Sequence, residues 1–237
     1  MPKLVERVRA AAFDLDGTLV DSAPDLAAAA NAMLESLGHT PLPESRVRAM
    51  IGAGVERLIE RALTESAGAG PGAEALAAGG EVFRRQYARQ LFHLSRVYPG
   101  VEEALDRLLQ AGLRLCCVTN KHSDFALPLL EAAGLGYFFE FTLCANSQAN
   151  RKPNPDLLLA ACRRLEIRSQ ELLCVGDSAA DVAAARAAGC PIAAVSYGYN
   201  GERPVALERP DWLIDSLTEI AGLPDASHAA PIRARGG

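Results

Sequence analysis

The sequence predicts an α/β protein: a doubly wound, mostly parallel, Rossmann-like sheet interrupted by an inserted α-helical piece. Three observations carry this reading. Four short apolar runs have the composition of strands buried on both faces. Amphipathic helical patterns ending in glycine separate the later ones. Between about Val20 and Tyr98 the periodicity is helical throughout, with no convincing strand.

The first run, "VRAAAF", leads into Asp14. "LRLCCV" leads into Thr119, "ELLCV" into Gly176, and "PIAAV" into Ser196. Among the helices, "VEEALDRLLQAG" sets Val101, Leu105, Leu108 and Leu109 on one face and stops at Gly112. "FALPLLEAAG", "PDLLLAACRRL" and "AADVAAARAAG" repeat the pattern, so strands and helices alternate. In the insert, "PDLAAAANAMLESLG" lines up Leu26, Ala30, Met33, Leu34 and Leu37, with Met33 as core filler. "VERLIERALTESAG" and "AEALAAGGEVFRRQYARQLFHL" continue in helical style. The small-residue stretch "SAGAGPGAEALAAGG" reads as a loop between inserted helices. No strand precedes it, so it is not a phosphate cradle. "PDASHAAPIRARGG" reads as a frayed tail.

Composition narrows the function. With 237 residues, 49% hydrophobic and 22% charged, the chain is an ordinary globular protein with room for one core and an insert. A net charge of -5 offers no general attraction for nucleic acid or anionic membrane, yet leaves room for a local basic pocket. No run approaches a membrane span, and no signal-like apolar segment precedes Asp14, so a cytoplasmic protein is expected. The six cysteines, Cys116, Cys117, Cys144, Cys162, Cys174 and Cys190, form no C-x-x-C pair and read as buried, reduced thiols.

The polar residues that end the strands carry the chemistry. "FDLDGTL" places Asp14 and Asp16 one residue apart where a buried strand stops. A metal ion, a proton-transfer task or an exposed turn would each make that crowding tolerable. Parallel α/β sheets bind ligands beyond the carboxyl ends of their strands. The fold therefore gathers Asp14 and Asp16, Thr119 and Asn120, and Asp177 at one edge, although they are far apart in sequence. Lys152 lies in "RKPNP", just before a helix opened by Pro155. Asp177 and Asp181, four apart, face the same way if a helix starts near Ser178.

"FDLDGTL", "VTN", "KPNP" and "GDSAAD" together resemble the four motifs of the haloacid dehalogenase superfamily of phosphohydrolases, over about Val8 to Tyr197. The strand and helix pattern divides the chain into a discontinuous core of residues 1–19 and 99–223, a helical insert of residues 20–98 and a flexible tail of residues 224–237, and the resemblance identifies the insert as the family's helical cap. The resemblance assigns Asp14 as a nucleophile that becomes an aspartyl-phosphate. Mg²⁺ would be held by the side chains of Asp14 and Asp177 and the backbone carbonyl of Asp16, with Asp181 as a ligand or a supporting neighbour. Asp16 would alternate as general acid and base. Dehalogenating members expel halide, need no proton and lack this second aspartate, so Asp16 favours phosphoryl transfer. Thr119 and Lys152 match the positions that stabilise the transferring group, with Asn120 and the backbone around Gly17 and Thr18 as further donors.

Within the family, "IGAGVERLIERAL", "VTNK" and "SYGYN" most resemble bacterial phosphoglycolate phosphatases. The expected activity is Mg²⁺-dependent hydrolysis of a small phosphorylated metabolite, foremost 2-phosphoglycolate, by a monomer or homodimer. Another small phosphate, pyrophosphate, or a sugar phosphomutase reaction are the neighbouring readings. A catalytically silent binding module is a different class, and the intact carboxylates argue against it. A phosphonatase needs a cap lysine, and no lysine lies between Lys3 and Lys121. For the substrate's far end, the glycines of "GAG" at 52–54 open a predicted helix whose N–H groups suit an anion. One turn on, Arg57 is either the partner of a substrate carboxylate or a solvated surface arginine. Lys121 and His122 are placed at the same mouth, His122 as a loop residue rather than a base.

Overall fold

The computed structural model describes residues 3–201 and 203–224. Its first strand, β1 (Ala10–Phe13), is buried along its whole length, as a central parallel strand must be. β2 (Val20–Asp21) leads into four helices, α1 (Ala23–Ser36), α2 (Glu44–Arg48), α3 (Val55–Ala67) and α4 (Ala73–Gln90). β3 (Arg96–Val97) brings the chain back. Strands and helices then alternate through α5 (Val101–Gln110), β4 (Arg114–Thr119), α6 (Ser123–Ala132), β5 (Phe141–Cys144), α7 (Asp156–Leu165), β6 (Leu172–Gly176), α8 (Ala179–Ala188), β7 (Ile192–Val195) and β8 (Trp212–Ile214).

Six strands form one parallel sheet in the order β5-β4-β1-β6-β7-β8. Side chains alternate across it. Ala11 and Phe13 of β1 join the apolar cluster under α5 and α6, while Ala10 and Ala12 join the one under α7 and α8. The sheet is therefore wound on both faces, as the alternating pattern predicts. The strand order reverses at β1. β4 and β5 extend one way and β6, β7 and β8 the other, which opens a crevice beyond the carboxyl end of β1.

The inserted helices enclose an apolar cluster with Met33, Leu34, Leu63, Phe83 and Tyr87 at its centre, and Phe125 of α6 joins it from the sheet side. Met33 is the filler its helical phase implied. The two chain crossings between insert and sheet pair as an antiparallel ribbon, Val20 with Val97 and Asp21 with Arg96. Asp25, buried in α1, caps the return by accepting the N–H groups of Leu94 and Ser95 at 2.8 and 2.9 Å.

Several details depart from the sequence expectations. Leu109 is 40% exposed, and Ala104 takes its place on the buried face of α5. Leu37 follows the end of α1 and is only partly buried. The loop expected over "SAGAGPGAEALAAGG" is confined to Gly68–Gly72, and Ala73 to Gly80 are helical. Packing explains this. A Cβ on Gly79 would lie 3.2 Å from the Met33 sulfur, so the small residues let α4 approach α1 rather than break the helix. The sequence reading also passed over α2 and the short strands β2, β3, β5 and β8. Of the frayed-tail expectation, Pro224 bridges Lys3 antiparallel, and the remainder lies outside the described residues.

The cysteines are all free, five of them buried and Cys144 partly so. Among the described residues no helix is long and apolar enough to cross a membrane.

Candidate active site

β1 ends at Phe13, so Asp14 stands at the centre of the crevice, its N–H bonded to the Val175 carbonyl of β6 at 2.9 Å. The chain then turns sharply. The Leu15 carbonyl accepts the N–H groups of Leu19 and Val20, and Gly17 takes φ +85°. Glycine is required there twice over, because a Cβ would also sit 2.4 Å from Asp177 Oδ2. That close approach brings the first turn against Asp177, which follows the end of β6.

Asp14, Asp177 and Asp181 each offer a carboxylate oxygen, all within 4.8 Å of one another. Lys152 enters the cluster from the loop before α7. Its Nζ lies 2.9 Å from Asp14 Oδ1 and 2.7 Å from Asp181 Oδ1, and donates to the Val118 carbonyl at 2.9 Å. Asp14 Oδ1 is buried beside the Lys152 ammonium and has no well-formed hydrogen bond.

Electrostatics follow from this crowding. Burial raises the Asp14 carboxyl to about 6, against the pull of Lys152 and with help from the neighbouring Asp181. Burial, then the charges of Asp181 and Asp14, push Asp177 well above the usual carboxylate range. Burial disfavours the charge on Lys152, but Asp14 and Asp181 outweigh it and raise its proton affinity. Ionising all three carboxyl groups against one ammonium would leave a surplus of negative charge, which a cation would balance.

The donor set is all oxygen, which suits a hard divalent ion such as Mg²⁺, and the orphaned Asp14 oxygen is the atom in want of a partner. Asp181 is the most committed of the three. Its Oδ1 faces Lys152, and its Oδ2 takes the Ser178 N–H and hydroxyl at 3.1 and 2.6 Å, capping α8. Asp177 is held at one oxygen by the Thr18 hydroxyl at 2.8 Å and at the other by the Tyr199 N–H. Both oxygens of Asp177 and of Asp181 thus already accept hydrogen bonds, and Asp14 is the least engaged of the three.

Asp16 sits apart from this cluster. Both its oxygens accept from Lys121 Nζ, at 2.9 and 3.0 Å, and one also accepts from the Ser22 hydroxyl. The Lys121 ammonium lies 4.8 Å from the centre of the Tyr87 ring of α4. Thr119 is buried at the end of β4, its hydroxyl accepting the Lys121 N–H at 3.2 Å and keeping its own proton to donate. A pocket between the sheet edge and the inserted helices is lined by Asp14, Asp16, Thr119 and Lys121 on one side and Leu26 and Ile51 on the other. Lys121 is the one cation lining it among the described residues.

Not every expected residue arrives there as anticipated. Arg57 does not reach the pocket. Val55 and Leu58 occupy the inward face of α3, so helical phase turns Arg57 outward, where it pairs with Glu60 at 2.6 Å. Asn120 lines the pocket, but its side-chain amide is a strut. It donates to the Gly52 and Lys152 carbonyls at 3.0 Å each and accepts the Lys152 N–H at 2.8 Å. His122 caps α6 by accepting the Asp124 N–H, in keeping with a loop role. Gly52 and Gly54 do line the pocket, with Gly54 at the cap of α3.

Sequence reasoning assigned no part to Ser22, Tyr87, Arg151 or Tyr199. Arg151 packs on Gly54 and binds the Ala53 carbonyl and Glu56, tying the loop before α7 to the start of α3. Its position beside Lys152 in "RKPNP" was a usable signal, as was "SYGYN" for Tyr199. Tyr87 has no local signal, because its helix reads as core throughout.

Comparison with known proteins agrees with this fold. A family model described as haloacid dehalogenase-like hydrolase matches residues 8–189. A phosphoglycolate phosphatase of Nitrosospira multiformis is 44% identical over 216 residues, 91% of this chain and 95% of the relative. A plasmid-borne phosphoglycolate phosphatase of Cupriavidus necator is 45% identical over 219 residues, 92% and 94% of the two chains. The crystal structure of a "predicted phosphoglycolate phosphatase" from Haemophilus somnus 129pt superposes with a TM-score of 0.86 at 34% identity, covering 90% of this chain and 96% of that one.

Proposed function

The chain belongs to the haloacid dehalogenase-like hydrolase family, and on that premise we propose that it is a Mg²⁺-dependent phosphatase whose substrate is 2-phosphoglycolate. What supports the reaction class above all is the convergence of Asp14, Lys152 and the pair Asp177 and Asp181, from three separate stretches of chain, on one point at the sheet edge. The substrate is supported by the two phosphoglycolate phosphatase relatives and by a small pocket whose one lining cation, Lys121, suits a carboxylate.

Asp14 and Asp177 would hold the ion with their side chains and Asp16 with its backbone carbonyl. When bound, Mg²⁺ offsets the repulsion between the phosphate dianion and the attacking carboxylate. Asp14 attacks phosphorus through a carboxylate oxygen, and the bond to the ester oxygen breaks. Asp16 gives its proton to that oxygen, so glycolate leaves as a neutral alcohol at that end. Asp16 then takes a proton from water as it attacks the Asp14-bound phosphorus, releasing phosphate and restoring Asp14. Lys152 and the Thr119 hydroxyl face the charge that spreads over the phosphoryl oxygens. Backbone N–H groups around Gly17 and Thr18 are further donors.

In this reading residues 1–19 and 99–223 form the catalytic core and residues 20–98 a cap that closes over the substrate and excludes water. The separate apolar cluster of the inserted helices and the ribbon of β2 and β3 support that division. The enzyme would work in the cytoplasm as a monomer or homodimer on a small metabolite, with neither nucleic acid nor membrane as partner. A side-by-side kcat/KM panel with phosphoglycolate, sugar phosphates and pyrophosphate, with and without Mg²⁺, tests the reading. Phosphoglycolate should lead the panel only with Mg²⁺. Metal-independent turnover, or a sugar phosphate in the lead, would refute it.

A further inference from the structure

The segment "SYGYN" after β7 takes no part in the chemistry above, yet it joins the metal-binding carboxylates to the base of the cap. The Tyr199 N–H donates to Asp177 Oδ2. The phenol of the same residue donates to Asp21 Oδ1 in β2 and accepts the Ala23 N–H, at the start of α1, at 3.0 Å. Arg48 of α2 closes the group from the cap side. Its guanidinium lies 3.1 Å from Asp21 and 5.0 Å from the centre of the Tyr199 ring. Two residues earlier, the Tyr197 hydroxyl donates to the Thr18 carbonyl at 2.9 Å, and Thr18 holds the other oxygen of Asp177. The Tyr197 ring lies 4.4 Å from Tyr98, just past β3. Three consecutive residues therefore touch one metal-site carboxylate and both chain crossings of the cap.

The link is stiff. A Cβ on Gly198 would fall 2.1 Å from the Asp177 Cβ, and one on Gly17 would fall 2.4 Å from its Oδ2. With backbone packed this closely on two sides, Asp177 has no room to turn independently of the strap. Tyr199 is 3% exposed, so its phenol is shielded from bulk solvent. A carboxylate that reorients on meeting a cation pulls on the Tyr199 N–H, and the displacement passes through one side chain to Asp21 and Ala23. Those two residues lie in the crossing from the sheet to the inserted helices, where a cap that closes would pivot.

Resting on the Mg²⁺-site reading above, we propose that Tyr199 is a positioning residue that couples cation binding at Asp177 to closure of the cap about Asp21 and Ala23. Tyr199→Phe tests this directly. It deletes both phenol bonds while keeping the ring and the N–H that holds Asp177. Hydrogen exchange at backbone amides 20–23, 25 and 96–98 should slow about tenfold when Mg²⁺ is added to the wild-type protein, and less than about twofold in the variant. By linkage, Mg²⁺ should also bind the variant more weakly, by about threefold or more in calorimetric titration. Asp21→Asn, which weakens the same contact from the other side, should move both readings in the same direction. A purely structural phenol would lower thermal stability yet leave the Mg²⁺-induced protection intact, and that result in Tyr199→Phe overturns the coupling. If wild-type protein shows neither Mg²⁺ heat nor Mg²⁺ protection, the cation site itself is refuted and the coupling falls with it.

Discussion

Replacing Asp14 by Asn should stabilise the metal-free protein while ending its turnover. The Asp14 carboxyl is raised from 3.8 to about 6, chiefly by burial, so folding disfavours its ionised form. A group raised in this way contributes stability at low pH that is lost as pH climbs from the unfolded value through the folded one. Above pH 7 the full difference applies, roughly 3 kcal/mol at 1.36 kcal/mol per unit. Asparagine keeps the shape and never ionises, so it escapes that cost, while Lys152 keeps Asp181 as a partner at 2.7 Å. For a chain of this size, about 2–4 °C accompanies each kcal/mol, so Tm should rise by roughly 6–12 °C at pH 7.5. Near pH 5, where the folded wild-type group is mostly protonated, the gain should fall to about half. Thermal unfolding by circular dichroism in EDTA across pH 4.5 to 8 reads this out. Adding Mg²⁺ should then stabilise the wild type far more than the variant. A metal-free Asp14→Asn protein no more stable than wild type at pH 7.5 would refute the reasoning, because Asp14 would not then be a strained charge awaiting a cation.

Three further outcomes follow from particular contacts. Asp16→Asn should slow hydrolysis of alkyl phosphates by about 10²- to 10⁴-fold but slow p-nitrophenyl phosphate much less, since that leaving group needs no proton; equal losses on both would remove Asp16 as the acid. Lys121→Met should collapse the preference for phosphoglycolate over ethyl phosphate by about ten- to a hundredfold, the worth of a hydrogen bond to a charged group, and an unchanged ratio of kcat/KM values would exclude Lys121 from carboxylate recognition. Gly17→Ala, with φ +85° and a Cβ 2.4 Å from Asp177 Oδ2, should weaken Mg²⁺ binding at least tenfold in calorimetric titration; wild-type affinity would show that the turn yields more easily than its packing indicates.

How much of this was legible in the sequence depended on whether a residue's partner is local or distant. The four main strands announce themselves because burial on both faces leaves only apolar residues in them. The motif carboxylates stand out because they interrupt those runs at their ends. β5 and β8 were missed because "FTLC" and "WLI" are short edge segments with incomplete burial. Gly79 and Gly80 misled in the other direction: glycine in a helical pattern reads as a break unless Met33 is known to lie across from it. Arg57 shows the limit of spacing. One turn past a glycine cap was correct, but phase around the helix decided the face, and only Val55 and Leu58 point at the site. Lys121 and Tyr199 owe their importance to Asp16, Tyr87, Asp21 and Asp177, which no window along the chain brings into view.

The most direct measurement is to mix enzyme, Mg²⁺ and phosphoglycolate for a fraction of one turnover, quench in acid, and map the phosphoryl group by peptide mass spectrometry. Phosphate bound to the Asp14 side chain is expected, and lost in Asp14→Asn. A phosphoryl group on any other residue, or active enzyme whose Asp14 never carries one at any quench time, would contradict nucleophilic catalysis by Asp14.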